Sequence, residues 1–165
     1  MNFQIRPFYE TDMEPIVQLS LLAWEPVFLS FEQVLGRSIF ALLYPDWQAG
    51  QRAGVEGVCK NMEKYSTWVA EVDGEVAGFI AYKTDSDEAD KTGEVELLAV
   101  HPDYQNHGIG TALNEFVLNR MRESGIKLAV VGTGGDPGHA PARRCYEKAG
   151  YTGLPLVRYY KALTD

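Results

Sequence analysis

Glu94 and Glu96 stand two residues apart in the run Glu94-Val95-Glu96-Leu97-Leu98-Ala99-Val100, whose apolar and β-branched residues predict a central strand. Side chains two apart on a strand leave by the same face, so the carboxylates project together while Val95 and Leu97 project the other way. A pair of acids facing a cleft can take a proton from an ammonium group, and their mutual repulsion is a general means of making one of them a better base near neutrality. The same spacing also suits two solvated or salt-bridged strand residues.

Beyond Val100 the chain continues as His101-Pro102-Asp103-Tyr104-Gln105-Asn106-His107-Gly108-Ile109-Gly110-Thr111, a strand turning through a glycine-containing loop into a helix. The N–H groups of such a loop and first helical turn have no partner inside the helix, and the positive end of the helix dipole adds to their attraction for a phosphate. The three spaced glycines of a dinucleotide fingerprint and the Gly-Lys-Ser/Thr of a P-loop are both missing, which sets NAD and ATP aside. Two glycines taken alone are equally ordinary turn chemistry. Cys59 and Cys145 match no metal-ligand spacing, so neither a metal site nor a disulfide framework is expected. Arg143, Arg144 and Lys148 spread around their helix and cannot all address one phosphate.

The elements that must position these groups follow from periodicity. A short strand near Phe3 to Ile5 precedes a helix opened by Thr11-Asp12-Met13-Glu14 and carried by Ile16, Val17, Leu19 and Leu22. A second helix is expected from Phe28 to Tyr44, stopped by Pro45, and a third over residues 46 to 64 despite Gly50, Gly54 and Gly57. Thr67 to Val72 and Val76 to Tyr82 flank Asp73-Gly74, a two-residue hairpin signal. A polar loop covers Thr84 to Thr92; the strand Glu94 to Val100 leads to a helix from Gly108 to Gly125 and a strand Leu128 to Val131, a β-α-β pattern. Gly132 to Gly138 is a loop, Ala140 to Ala149 a helix closed by Gly150, and Leu154 to Leu163 a final strand. Mixed pairing of this kind predicts one α/β (α+β) domain spanning residues 1 to 165 around a single sheet.

Fifteen Lys and Arg against 23 Asp and Glu give a net charge of -8, which repels nucleic acid and favours cationic partners slightly. No apolar run approaches the ~18 residues of a membrane span, and the first residues carry no export pattern, so no membrane association is expected and a cytoplasmic protein with reduced thiols is.

The run from Glu94 to Leu113 resembles motif A of the GNAT acetyltransferase superfamily, whose Gln/Arg-x-x-Gly-x-Gly/Ala loop is met by Gln105-Asn106-His107-Gly108-Ile109-Gly110. Ile5-Arg6-Pro7 followed by Asp12 to Ile16 is similar to the family's opening, and Ala142 through Tyr146-Glu147-Lys148-Ala149-Gly150-Tyr151 to its C-terminal helix and following strand. The resemblance implies a twisted mixed sheet of about six to seven strands in which the motif A strand splays from its parallel neighbour. It also implies a cleft for acetyl-CoA, used as cosubstrate without a metal, held by Leu98, Val100, Gln105, Asn106, His107, Gly108, Ile109, Gly110 and Thr111.

Further roles come from the same likeness. At least one of Glu94 and Glu96 would be the base, Val100 N–H would stabilise the oxyanion, and Tyr146 would protonate the departing sulfur, although a tyrosine there also packs well as a core residue. His139 stands where family members frequently have Asn, which weakens one cofactor contact and suits a loop-capping role equally. Cys145 beside Tyr146 invites a thiol intermediate, but no Cys/His/acid pattern supports it. Trp24, Phe28, Phe31, Tyr44 and Trp47 lie where acceptors bind in the family, at spacings that equally suit core packing. The implied activity is transfer of an acetyl group to a primary amine of a small molecule or peptide in a ternary complex; the other reading is an acyl-CoA-binding sensor without turnover. Homodimerisation through the apolar N-terminal helices stays open.

Overall fold

The computed structural model describes residues 1–85 and 91–164. Most of the polar loop expected between Thr84 and Thr92 therefore lies outside the described residues. Five strands form one sheet in the order β1 (Gln4–Pro7), β2 (Ser66–Val72), β3 (Glu75–Thr84), β4 (Thr92–Val100) and β5 (Leu128–Val131). Neighbours from β1 to β4 are antiparallel, and β5 runs parallel to β4. Asp73 and Gly74 both take positive φ, 51° and 85°, the conformation a tight two-residue hairpin requires between β2 and β3.

The sheet has five strands rather than six or seven. The expected last strand is the missing one: Leu154 to Leu163 form neither helix nor strand and remain largely exposed. The local pattern for a strand is present there, but a strand exists only when a neighbour accepts its hydrogen bonds, and this chain does not offer its own β5 to the segment.

Helices cover both faces. On one side α1 (Met13–Leu35) and α3 (Trp47–Lys60) bury Ile16, Val17, Leu19, Val55 and Cys59 against Val69, Phe79 and Ala99. On the other, α4 (Ile109–Glu123) lays Ile109, Leu113, Val117 and Met121 on Ala70, Ile80, Tyr82 and Val95. The first helix is longer than its periodicity suggests: α1 runs through Pro26 as far as Gly36, whose φ of 79° ends it before α2 (Arg37–Leu43). Pro26 is tolerated because it lies on the exposed side with Leu22, so the carbonyl it leaves unpaired faces water. In α3 the three glycines are exposed while Val55 and Cys59 are buried, so tertiary packing offsets their poor propensity.

Arg6 ties the first elements together, bonding Asp12 at 2.8 and 2.9 Å and Glu71 at 2.6 Å. Burial by itself pushes the Asp12 carboxyl up, but Arg6 and the Tyr9 amide outweigh it and hold it below the ordinary carboxylate range. Among the described residues no helix is long and apolar enough to cross a membrane.

Candidate active site

The opening in the sheet comes from strand register. β4 and β5 pair only from Thr92–Leu128 to Val95–Val131, after which β4 continues to Val100 paired with β3 on one side and with no strand on the other. His101 N–H donates to Ala77 O at 2.8 Å, so the alternation of an antiparallel ladder turns the N–H groups of Leu98 and Val100 away from β3, toward the side that β5 has left. The expected splay is present, and its exposed wall is backbone.

The loop after β4 presents more backbone. Gln105 Nε2 donates to Val100 O at 3.0 Å and His107 Nδ1–H to Gln105 O at 2.8 Å, so these two side chains brace the turn itself. Asn106 and Gly108 take φ of 64° and 83°, curling the chain into the start of α4, where the first helical bond is Ala112 N–H to Gly108 O. Among the described residues the amides from Asn106 to Thr111 donate to no other backbone group outside the helix, and the helix geometry gives those of Ile109, Gly110 and Thr111 no partner within it. A Cβ at Gly108 would meet nothing within 4 Å, so the space before the loop is open. This ring of donors at a helix N-terminus fits a diphosphate.

Glu94 and Glu96 approach the same lysine, but Val95 and Leu97 do not share the opposite face as strict alternation predicts: Val95 packs on the α4 side of the sheet and Leu97 on the α1 side. A bulge opposite Ala81 and Tyr82 pairs those residues with Leu97 and Val95 and leaves Glu96 as the extra residue. Both carboxylates reach Lys83 Nζ, at 3.3 and 3.5 Å. Glu94, by hydrogen bonding, and then the charges of both acids hold the Lys83 ammonium above its ordinary value, against the opposing effect of burial. The bridging lysine thus supplies a counter-charge that sequence reading did not anticipate, because facing Glu94 across β3 depends on register. Glu94 also lines a polar cavity of about 380 Å³ with Lys64, Lys83 and Thr92.

Tyr146 lies on α5 (Ala140–Lys148), its ring 5.8 Å from that of Tyr151. Burial first, then Cys145 and Tyr151, push its phenol well above the ordinary range, so the hydroxyl keeps its proton at any working pH. Thr111, in the first turn of α4, lies near enough to the neighbouring Cys145 to act on its thiol, so α5 approaches the amide ring. Burial also raises that thiol, outweighing Thr111 and Lys148, and a raised thiol is a poor nucleophile.

His139 has other company. Its Nδ1 lies 2.5 Å from Asp136 Oδ1, and its ring is 5.4 Å from that of Phe31 on α1. Asp136 also accepts from Ser30 Oγ at 2.6 Å and from Gly138 N–H at 3.1 Å, while Arg143 donates to the carbonyls of Gly134 and Asp136 at 2.6 and 2.7 Å. The loop after β5 is therefore pinned to α1. Asp136-Pro137 is a readable cap-and-proline start, whereas nothing local in the sequence marks Ser30 as its partner. Phe28, Phe31, Tyr44 and Trp47 pack on one another, with Phe28 and Trp47 stacked at 4.5 Å and Phe31 and Tyr44 at 5.6 Å.

Residues 37–151 match the model of the Acetyltransferase (GNAT) family. The chain belongs to the GNAT family. A relative within reach is a mycothiol acetyltransferase of Sanguibacter keddieii, 38% identical over 87 residues that make up 51% of this chain and 27% of that protein. The chain thus spans about a quarter of that relative's length. Two solved structures share the GNAT fold across nearly the whole chain. One is AAC(6')-Iy in complex with a bisubstrate analog, CoA-S-monomethyl-acetylneamine (TM-score 0.66, 17% identity, 99% of this chain and 100% of that one). The other is the PaiA N-acetyltransferase of Thermoplasma acidophilum in complex with coenzyme A (TM-score 0.65, 18% identity, 92% and 91%). In this GNAT chain the splayed strand, the amide ring and α5 are contiguous in space; the acid pair lies on the same strand nearer its start.

Proposed function

We propose that the protein is an N-acetyltransferase that moves an acetyl group from acetyl-CoA to a primary amine by direct attack in a ternary complex. The observation that carries this reading is the departure of β5 from β4 at Val95, which leaves the Leu98 and Val100 amides and the Asn106 to Thr111 loop lining one opening. The loop amides would hold the pyrophosphate of the donor, and the strand edge would pair with the amides of its pantetheine arm.

The residues divide the chemistry. One of Glu94 and Glu96 would take the ammonium proton, with Lys83 placed to balance the charge of its companion. Val100 N–H would donate to the oxyanion as the amine nitrogen bonds to the thioester carbon. Tyr146, kept neutral by burial, would protonate the sulfur as the carbon–sulfur bond breaks. His139 would shape the site through Asp136 and Phe31 more than by touching the donor. The acceptor is proposed as a cationic small molecule or a peptide amine, in keeping with the net charge of -8.

The test is thiol release from acetyl-CoA against a panel of polyamines, amino sugars, small amines and peptide N-termini, with calorimetry of acetyl-CoA as control. Turnover on one class supports the enzyme. Tight donor binding without turnover on any acceptor supports the sensor reading, and absence of donor binding by folded protein overturns both.

A further inference from the structure

His139 occupies the N-cap position of α5, yet its side chain makes no capping hydrogen bond to the first turn of that helix. Other groups pin the loop. Asp136 Oδ2 accepts from Ser30 Oγ and from Gly138 N–H, and Arg143 holds the carbonyls of Gly134 and Asp136. The second carboxylate oxygen, Oδ1, is left for one partner, His139 Nδ1.

Charge fixes the direction of that bond. Burial by itself pushes the Asp136 carboxyl up, but Ser30 and His139 outweigh it and hold it below the ordinary carboxylate range, so it is ionised and can only accept. The shared proton therefore sits on Nδ1, and in the neutral ring the lone pair lies on Nε2. Among the described residues Nε2 has no hydrogen-bond partner, and it does not count with their buried, unpartnered polar atoms, so it opens to solvent from a side chain that is only 16% exposed. An imidazole with one nitrogen tied to a carboxylate and the other free is the arrangement of an oriented base.

The place of this base in the fold suits the reaction. His139 and Tyr146 stand seven positions apart, so they share one face of α5, about 10 Å from each other along its axis. Tyr146 is at the end that approaches Thr111 and the amide ring, and His139 at the end that meets Phe31 on α1. Acyl transfer also has a proton without a receiver. A primary amine that has given one proton to Glu94 or Glu96 still carries, once bonded to the thioester carbon, one proton more than the amide product keeps, and Tyr146 at that moment is a donor.

We propose that His139, oriented by Asp136, is a further catalytic base, which takes this second nitrogen proton at Nε2. The assignment rests on the acetyl-transfer reading above. As the oxyanion's electron pair re-forms the carbonyl, the carbon–sulfur bond breaks, the sulfur takes the Tyr146 proton and Nε2 takes the proton of the nitrogen. The imidazolium and the tyrosinate then neutralise each other by exchange through water, and the one proton released overall is the one first taken by the acid pair.

The test compares the parent with His139→Ala and His139→Asn, using acetyl-CoA as donor and spermidine, glucosamine, phenethylamine and an alanine-led peptide as acceptors. Both variants are expected to lower kcat by about 10²-fold on whichever acceptor the parent uses, while KM holds and calorimetry finds the acetyl-CoA dissociation constant within about twofold of the parent's. Asparagine can hydrogen-bond but takes no proton, so it restores nothing. Imidazole added to His139→Ala raises kcat at least tenfold and leaves the parent unchanged, a response that a residue shaping the loop alone would not give. Turnover within about threefold of the parent in either variant overturns the proposal. So does a loss that imidazole fails to reverse, or one that appears as weakened donor binding instead. In each of these cases the parent still acetylates and the enzyme reading stands. A parent that binds acetyl-CoA yet acetylates none of the four acceptors overturns that reading and this assignment with it.

Discussion

A single methyl group at Gly78 tests whether the end of β4 is held as tightly as the amide ring requires. A Cβ built there lies 2.9 Å from Ala99 O and 3.3 Å from both Ile109 Cγ2 and Val100 Cγ2. The carbonyl belongs to the backbone of the facing strand and cannot rotate away, and Ile109 is 1% exposed at the first turn of α4. Relief therefore comes by moving the end of β4 and the start of α4 apart. Overpacking of this kind costs about 1–3 kcal/mol, and the smaller entropy of the unfolded alanine chain returns roughly 0.4–1, leaving about 1–2 kcal/mol of net destabilisation. For a domain of this size that lowers Tm by roughly 2–8 °C. Because the displacement falls on Val100 and Ile109, coenzyme A affinity drops by about tenfold, equivalent to ~1.4 kcal/mol. Thermal unfolding and calorimetry on Gly78→Ala read both quantities. Gly110→Ala is the control, since its Cβ meets only Val100 Cγ2 at an ordinary 3.6 Å, and its Tm stays near that of the parent. A Gly78→Ala protein with unchanged Tm and donor affinity would refute the tight approach of β3 to the ring.

Tyr146→Phe is expected to lower kcat by about 10²-fold while calorimetry finds donor affinity unchanged; unaltered turnover removes Tyr146 as the acid. Gly108→Val combines a β-branched side chain with a φ of 83° and blocks the open space before the loop, so coenzyme A binding weakens at least tenfold, and an unchanged dissociation constant by titration would remove the loop from the site. Asn114 is fully buried with neither amide atom partnered among the described residues, so Asn114→Leu should raise stability to urea by about 1–2 kcal/mol; a loss of stability would show that the amide is satisfied. Asp12 has a folded value held below its unfolded one, so its contribution is present above the ordinary carboxylate range and is lost as pH falls through the depressed value. Asp12→Asn accordingly costs ~3 kcal/mol at pH 7, and the gap from the parent narrows toward pH 2; a gap independent of pH contradicts the Arg6 pairing.

The local features were legible because contiguous residues decide them. Asp73-Gly74 specifies its turn, and the order strand, glycine loop, helix places free amides at a helix start whatever surrounds it. Strict alternation would have put Val95 and Leu97 on one face, but the bulge at Glu96 sends them to opposite sides of the sheet, so the meeting of both acids with Lys83 owes as much to the bulge as to their spacing. Of residues 46 to 64, expected to be helical, Trp47–Lys60 form α3 despite three glycines because Val55 and Cys59 keep the buried stripe, whereas residues 61–64 turn out of the helix.

Partners distant in the chain were not legible. Lys83 stands between the two acids only because β3 and β4 pair in one register, and Ser30 meets Asp136 across 106 residues because α1 packs on the loop after β5. The last strand shows the same limit most plainly: Leu154 to Leu163 carry the side chains of a strand, yet side-chain pattern sets only what a segment is able to become. Sequence alone determined the family, the turn into α4 and the chemistry available at each position. Tertiary structure alone decided which side chains and strand edges meet, since those meetings depend on packing and closure over the whole molecule.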